Sequence, residues 1–114
     1  MEIRTENYSI YYDKLTQTAI FNGSLRLSGM EEYDPIVKLL NEVADTQPST
    51  ITLNLRELDF LNSSGINVLS KFVIKVRQKG NIHMVVLGSN NVPWQGKSLK
   101  NLQRLMPSLD LLLD

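Results

Sequence analysis

ITLNLRELDFLNSSGINVLSKFVIKVRQKGNIHMVVLG, residues 51–88, changes rhythm twice, and those changes organise the chain. ITLNL at 51–55 is short, β-branched and leucine-rich, the composition of a strand covered on both sides. The apolar run then breaks at Asn62-Ser63-Ser64-Gly65. From Ser64 to Lys79, Ile66, Leu69, Phe72, Val73 and Val76 recur at helical spacing. Lys71, Lys75, Arg77 and Lys79 gather toward the far end and Gly80 follows, which are helix-stop signals. NIHMVVLGS at 81–89 is apolar again. Residues 51–87 therefore spell strand, helix, strand, with a connection long enough for a parallel crossover.

Working outward, residues 88–97 form a loop with Pro93 and Trp94. Ser98 to Met106 fits a short helix capped by Ser98 and stopped by Pro107, and LDLLL at 109–113 fits a last strand. Upstream, Tyr8, Ile10 and Tyr12 alternate, as do Ala19, Phe21, Leu25 and Leu27, with a turn at Asp13-Lys14; two antiparallel strands follow. Between Ser28 and Asp45, Tyr33, Ile36, Val37, Leu40 and Val43 mark a helix. Its start has two readings, a Ser28-x-x-Glu31 capping box or an Asp34 cap with Pro35 in the first turn.

The 114 residues suit one domain, 1–114, and the 42% apolar content suits a packed core. Twelve basic and twelve acidic side chains cancel, so no summed field draws nucleic acid. With no cysteine there is no disulfide, thiolate chemistry or Cys-based metal site. No signal peptide or membrane span is encoded, and cytoplasmic residence is the expectation. The sequons at Asn7, Asn22 and Asn62 matter only in a secreted chain.

The strand-to-helix junction has a definite chemistry. Unpaired backbone N–H groups point outward at a helix start, Asn62 or Ser63 can cap them, and Gly65 permits close backbone approach. The plain reading is a cap. LNLRELDFLNSSGINVLSKFVIKVRQKGNIHMVVLG also resembles the central stretch of the STAS family, the sulfate-transporter and anti-sigma-factor-antagonist domain. The likeness is close over roughly residues 50–88 and looser over nearly the whole chain. It implies an α/β, STAS-like fold: a mixed four- to five-stranded sheet with helices packed on one face. In small bacterial members, the first serine of an Asp-Ser-Ser-Gly or Asp-Ser-Thr-Gly motif is phosphorylated by an ATP-dependent serine kinase. By motif that serine is Ser63, with Ser64 the nearest substitute.

The resemblance further implies a partner-switching regulator acting in transcription control. The unmodified chain binds its serine kinase, an anti-sigma-like ATPase; phosphorylation releases it; a cognate serine phosphatase resets it. Asn62, Ser63, Ser64, Gly65, Asn67, Ser70 and Lys71 would form the docking surface. ATP and magnesium belong to the kinase, so the chain itself needs no cofactor. Asn62 stands where the family carries its acidic residue. That supports an alternative, a constitutive STAS protein-binding subunit of a transporter or other assembly that is never phosphorylated. Apolar residues near Leu109 to Leu113 favour self-association or a covering partner.

An enzyme is not expected. Gln95-Gly96-Lys97-Ser98 resembles the end of a phosphate-binding loop, but position 91 is Asn91, not glycine. His83 is the single histidine, too few parts for a metal site or a Ser-His pair. Trp94 reads as either a partner anchor or a packing residue, and the Tyr8, Tyr11 and Tyr12 group reads as sheet packing.

Overall fold

The break at 62–65 is the point where a long strand hands the chain to a long helix. In a computed structural model describing residues 1–114, nine elements follow one another: β1 (Glu2–Arg4), β2 (Tyr8–Asp13), β3 (Thr18–Leu25), α1 (Gly29–Asp45), β4 (Thr50–Leu61), α2 (Ser63–Lys79), β5 (His83–Gly88), α3 (Gln95–Leu105) and β6 (Asp110–Leu113). The sheet runs in chain order, β1 to β6. β1, β2 and β3 are antiparallel neighbours, whereas β3, β4, β5 and β6 are parallel. Each parallel step is bridged by one helix. α2 packs between α1 and α3, and the three helices cover one face of the sheet over a single apolar core.

Six strands stand where four or five are expected. The additional one is β1, a three-residue edge strand pairing Ile3 with Ile10. One apolar residue flanked by Glu2 and Arg4 carries no alternation to read. β4 is also longer than 51–55, because Thr52 to Leu61 pairs with Thr18 to Leu25 across two bulges, at Ile20/Asn22 and Gly23/Ser24. Each bulge adds a residue to β4, bends it and re-aims its end. The burial pattern records this: Ile51, Leu53 and Leu55 face the core at spacing two, then Leu58 and Leu61 at spacing three.

Three expectations are corrected. β4 is covered on one side only, since Thr52, Asn54 and Arg56 remain half-exposed on the face opposite the helices. α1 starts at Gly29 and carries Pro35 inside it, and the residue reaching back to its start is Glu32, whose carboxylate accepts from the Ser28 N–H at 2.9 Å, not Glu31. α3 starts at Gln95, which places Ser98 within the helix and not at its cap. α2 ends as read: Gly80 takes the left-handed conformation with φ 78° and donates its N–H to Arg77 O. Glycine is favoured there because a Cβ strains that conformation.

Candidate functional site

The junction is held by the amide of Asn62. Its Oδ1 caps α2 by accepting from Gly65 N–H at 2.9 Å, and also accepts from the Tyr33 hydroxyl of α1 at 2.6 Å. Its Nδ2 donates to Leu27 O at 2.8 Å, in the segment between β3 and α1. The Asn62 backbone N–H adds a bond to Leu25 O at 3.1 Å. One side chain thus ties the start of α2 to two segments some thirty residues upstream. Burial pushes the Tyr33 hydroxyl above its ordinary pKa, partly offset by the backbone at Leu27. It stays protonated at neutral pH and so serves as the donor.

These contacts give Asn62 a role that the acidic residue expected from the resemblance could not fill. A carboxylate would cap the helix equally well, but its second oxygen would face the Leu27 carbonyl with no proton to offer. Asn62→Asp therefore lowers stability by about 1–2 kcal/mol, since a buried acceptor left without its donor outweighs the gain of about 0.3–1 kcal/mol from an anion at a helix N-terminus. Urea midpoints at neutral pH measure this, and an unchanged midpoint would remove the Leu27 contact from the account.

Gly65 is buried beneath the same side chains. A Cβ built on it would come within 2.8 Å of the Tyr33 hydroxyl and closer still to Leu61. Its absence of side chain serves packing at the junction, and it presents no side chain to a partner.

Ser63 is the first residue of α2 and is exposed. Gly65 N–H is taken by Asn62 Oδ1 and Ile66 N–H by Asn62 O at 3.0 Å. The Ser63 and Ser64 N–H groups lie ahead of the helical ladder and have no intrahelical acceptor. No acidic residue occupies the first turn to neutralise the positive end of the helix. Asn67 and Lys71 are exposed at four and eight residues beyond Ser63, with Ser70 half-exposed beside them. That spacing puts them on one helix face, about 12 Å long at 1.5 Å per residue. An apolar groove lined by Val37, Leu40, Val68 and Phe72 lies between α1 and α2, with Lys71 on its lining as well.

The family model for the STAS domain matches residues 32–93, which include the strand-to-helix junction with Ser63 and Ser64. The chain belongs to the STAS domain family. A comparison with curated proteins finds no match. Among solved structures, this STAS chain is similar to a chain of the crystal structure of diguanylate cyclase SiaD in complex with its activator SiaC from Pseudomonas aeruginosa. The TM-score is 0.73 at 12% identity, covering 99% of this chain and 97% of that one. It is likewise similar to apo-SiaC of that organism, with TM-score 0.73 at 11% identity and coverage of 100% and 98%. At such identities the likeness is one of fold. It agrees with the α/β, helices-on-one-face architecture.

The remaining candidates are placed as follows. His83 is exposed at the start of β5, its Nε2 2.9 Å from Asp110 Oδ2. Lys97 and Ser98 lie in the first turn of α3 without forming a phosphate loop. Trp94 is half-buried and its indole N–H donates to Leu58 O at 3.0 Å, a packing role. Sequence reasoning names Gln95 only within the phosphate-loop candidate and misses its structural role, for the side chain is fully buried. Its Nε2 donates to Leu55 O at 2.5 Å and Leu58 O at 3.1 Å, while its Oε1 accepts from Ser89 N–H at 2.7 Å. Gln95 and Trp94 thus occupy carbonyls of β4 beyond Asn54, where its pairing with β5 ends, a few residues before the junction.

Proposed function

We propose that this STAS chain is a protein-binding regulator whose partner docks on the exposed start of α2 and is released by phosphorylation of Ser63. The observation that carries the reading is the separation of two jobs at one helix start. Asn62 caps and anchors α2, so the Ser63 hydroxyl is left at the surface beside two N–H groups that the helix does not use. A phosphoserine there carries about −1.5 to −2 charges and sits at the favourable end of the helix dipole. The fold therefore tolerates the modification. What changes is the docking face, where new charge and bulk oppose a partner that packs against a small uncharged side chain. The reading includes an ATP-dependent serine kinase as partner and a serine phosphatase to reset it. Catalysis forms no part of it. Similarity of fold to SiaC, described as the activator of a diguanylate cyclase with which it forms a complex, supports action through binding.

The second reading, a constitutive binding subunit, is favoured by one observation: Asn62 leaves no carboxylate next to Ser63 to assist phosphoryl transfer. Mass spectrometry of the protein isolated from its own cells separates the two. Phosphate on Ser63, absent from the Ser63→Ala chain, is the expected result. Phosphate found nowhere, or only elsewhere, removes the switch and leaves the constitutive subunit.

A further inference from the structure

From Phe60 to Leu109 the chain contains seven Lys and Arg and no Asp or Glu, while the remaining residues hold the other five cations and all twelve acids. The net charge of zero is therefore a cancellation between a stretch of +7 and a remainder of −7. Asymmetry of that kind matters where the fold gathers the charges on one surface.

α2 and α3 contain no acidic residue and pack side by side. α1, on the far side of α2, carries Glu31, Glu32, Asp34, Glu42 and Asp45 against Lys38 alone. Its compensation reaches only its own side of α2, where Asp45 Oδ1 lies 3.6 Å from Lys75 Nζ and 3.4 Å from Lys79 Nζ. On α3, Gln95, Leu99 and Leu102 face the core. Lys97, Lys100 and Arg104 are exposed at spacings of three and four, which sets them in one outward stripe about 10 Å long at 1.5 Å per residue. Arg77 of α2 is exposed and joins the stripe across the seam, its Nη1 donating to Leu105 O at 2.8 Å. Arg104 Nη1 donates to the neutral Asn101 Oδ1 at 3.3 Å. None of these four cations takes part in an ion pair. Asp110, the next acid along the chain, alternates on β6 with Leu111, which packs against the core, and so points to the other face of the sheet.

Uncompensated cations on adjoining helices attract a polyanion. A bilayer or a DNA duplex is broad and charged throughout, so over the helix layer it meets the acids of α1 as well. The large apolar residues that are exposed, Met1, Tyr11, Leu15, Met30 and Leu112, all lie off α2 and α3, so nothing beside the stripe enters a bilayer. A single nucleic-acid strand needs aromatic platforms for its bases, and the one aromatic of α2 and α3 is Phe72, which is buried. A second copy presenting its acidic α1 would bind head-to-tail, a heterologous contact that leaves its own stripe open and does not close.

We infer that Lys97, Lys100 and Arg104 of α3, with Arg77 of α2, bind an acidic segment of a partner protein, a chain narrow enough to follow the stripe without reaching α1. Complementary charge of this kind orients a partner and speeds its approach. The inference goes beyond docking at the start of α2 and does not depend on Ser63 being phosphorylated.

Poly-L-glutamate is the probe, titrated into the isotope-labelled chain and followed by NMR at ~50 mM salt, where surface charges are weakly screened. The expected result is saturable amide shifts concentrated at Arg77, Lys97, Lys100 and Arg104. The paired substitution Lys97→Glu with Lys100→Glu weakens binding at least ~10-fold. Glutamate forms helix about as well as lysine, so this chain folds, as far-UV circular dichroism checks. Lys14→Glu with Lys38→Glu, exposed in the turn after β2 and on α1, changes the net charge equally and leaves affinity within about twofold. Equal losses from the two pairs, shifts spread over the whole surface, or no saturable binding overturn the inference. So does tighter binding of single-stranded or duplex DNA, or of phosphatidylserine vesicles, in the same buffer, which would assign the stripe to that class. Concentration-dependent self-association abolished by the α3 pair would assign it to a second copy and overturn the inference as well.

Discussion

Gln95→Ala lowers the unfolding free energy by about 3–5 kcal/mol, although position 95 touches neither a ligand nor the proposed docking face. The glutamine amide is fully buried and makes three hydrogen bonds, to Leu55 O, Leu58 O and Ser89 N–H. Truncation leaves a buried N–H and one or two buried carbonyls without a partner, each costing about 1–3 kcal/mol, and opens a void where the amide stood. Trp94 still donates to Leu58 O, so that carbonyl is the least affected and the loss stays below a simple sum. Gln95→Glu fares no better: its carboxylate accepts from Ser89 N–H but offers no proton to the two carbonyls. Urea unfolding of the three chains measures the effect. A loss under about 1 kcal/mol for Gln95→Ala would mean that these two β4 carbonyls are satisfied some other way.

The same residue shows where sequence reading ends. Glutamine is ordinarily a surface residue, and its two carbonyl partners lie 40 and 37 residues upstream. No local pattern announces such a contact. The strand-helix-strand unit at 51–88 is legible for the opposite reason. Its information is periodic: apolar positions at spacing two, then at helical spacing, with a capping asparagine at one end and a left-handed glycine at the other. Even the bulge leaves a trace, since Leu55, Leu58 and Leu61 abandon spacing two before the chain turns.

The candidate site divides in the same way. That Asn62 caps α2 is readable from its residue type and place. That it also accepts from Tyr33 and donates to Leu27 is not, because those partners are 29 and 35 residues away. This second role bears on the acidic residue expected from the resemblance, whose replacement by asparagine reads in the sequence as a loss. In the folded chain the asparagine supplies a donor that an ionised acid lacks. The start of α1 shows a different limit. Gly29 to Glu32 are all exposed, so the first turn lacks the apolar stripe that marks the rest of the helix, and Pro35 looks like an N-terminus when it is an interior residue.

Ser63→Asp weakens binding of the partner at the start of α2 by about 10–100-fold, while Ser63→Ala binds as the wild type does. The opposition of charge to docking is local. Asn62, Tyr33 and Leu27 hold the helix start without the serine hydroxyl, and an anion at the first helical position is neutral or mildly stabilising, by about 0.3–1 kcal/mol. Affinity and stability thus move independently, which a misfolded variant would not allow. Were Ser63 a structural cap, the reverse would hold: alanine would cost about 1 kcal/mol of stability and leave binding in proportion to the folded fraction.

The most direct measurement is a titration of the protein captured stoichiometrically by the immobilised wild-type chain against wild type, Ser63→Ala and Ser63→Asp, with urea midpoints taken on the same samples. A switch at the α2 start predicts equal affinity for the first two, a 10–100-fold loss for Ser63→Asp and unfolding free energies within about 1 kcal/mol of one another. Equal affinity for all three chains would contradict it.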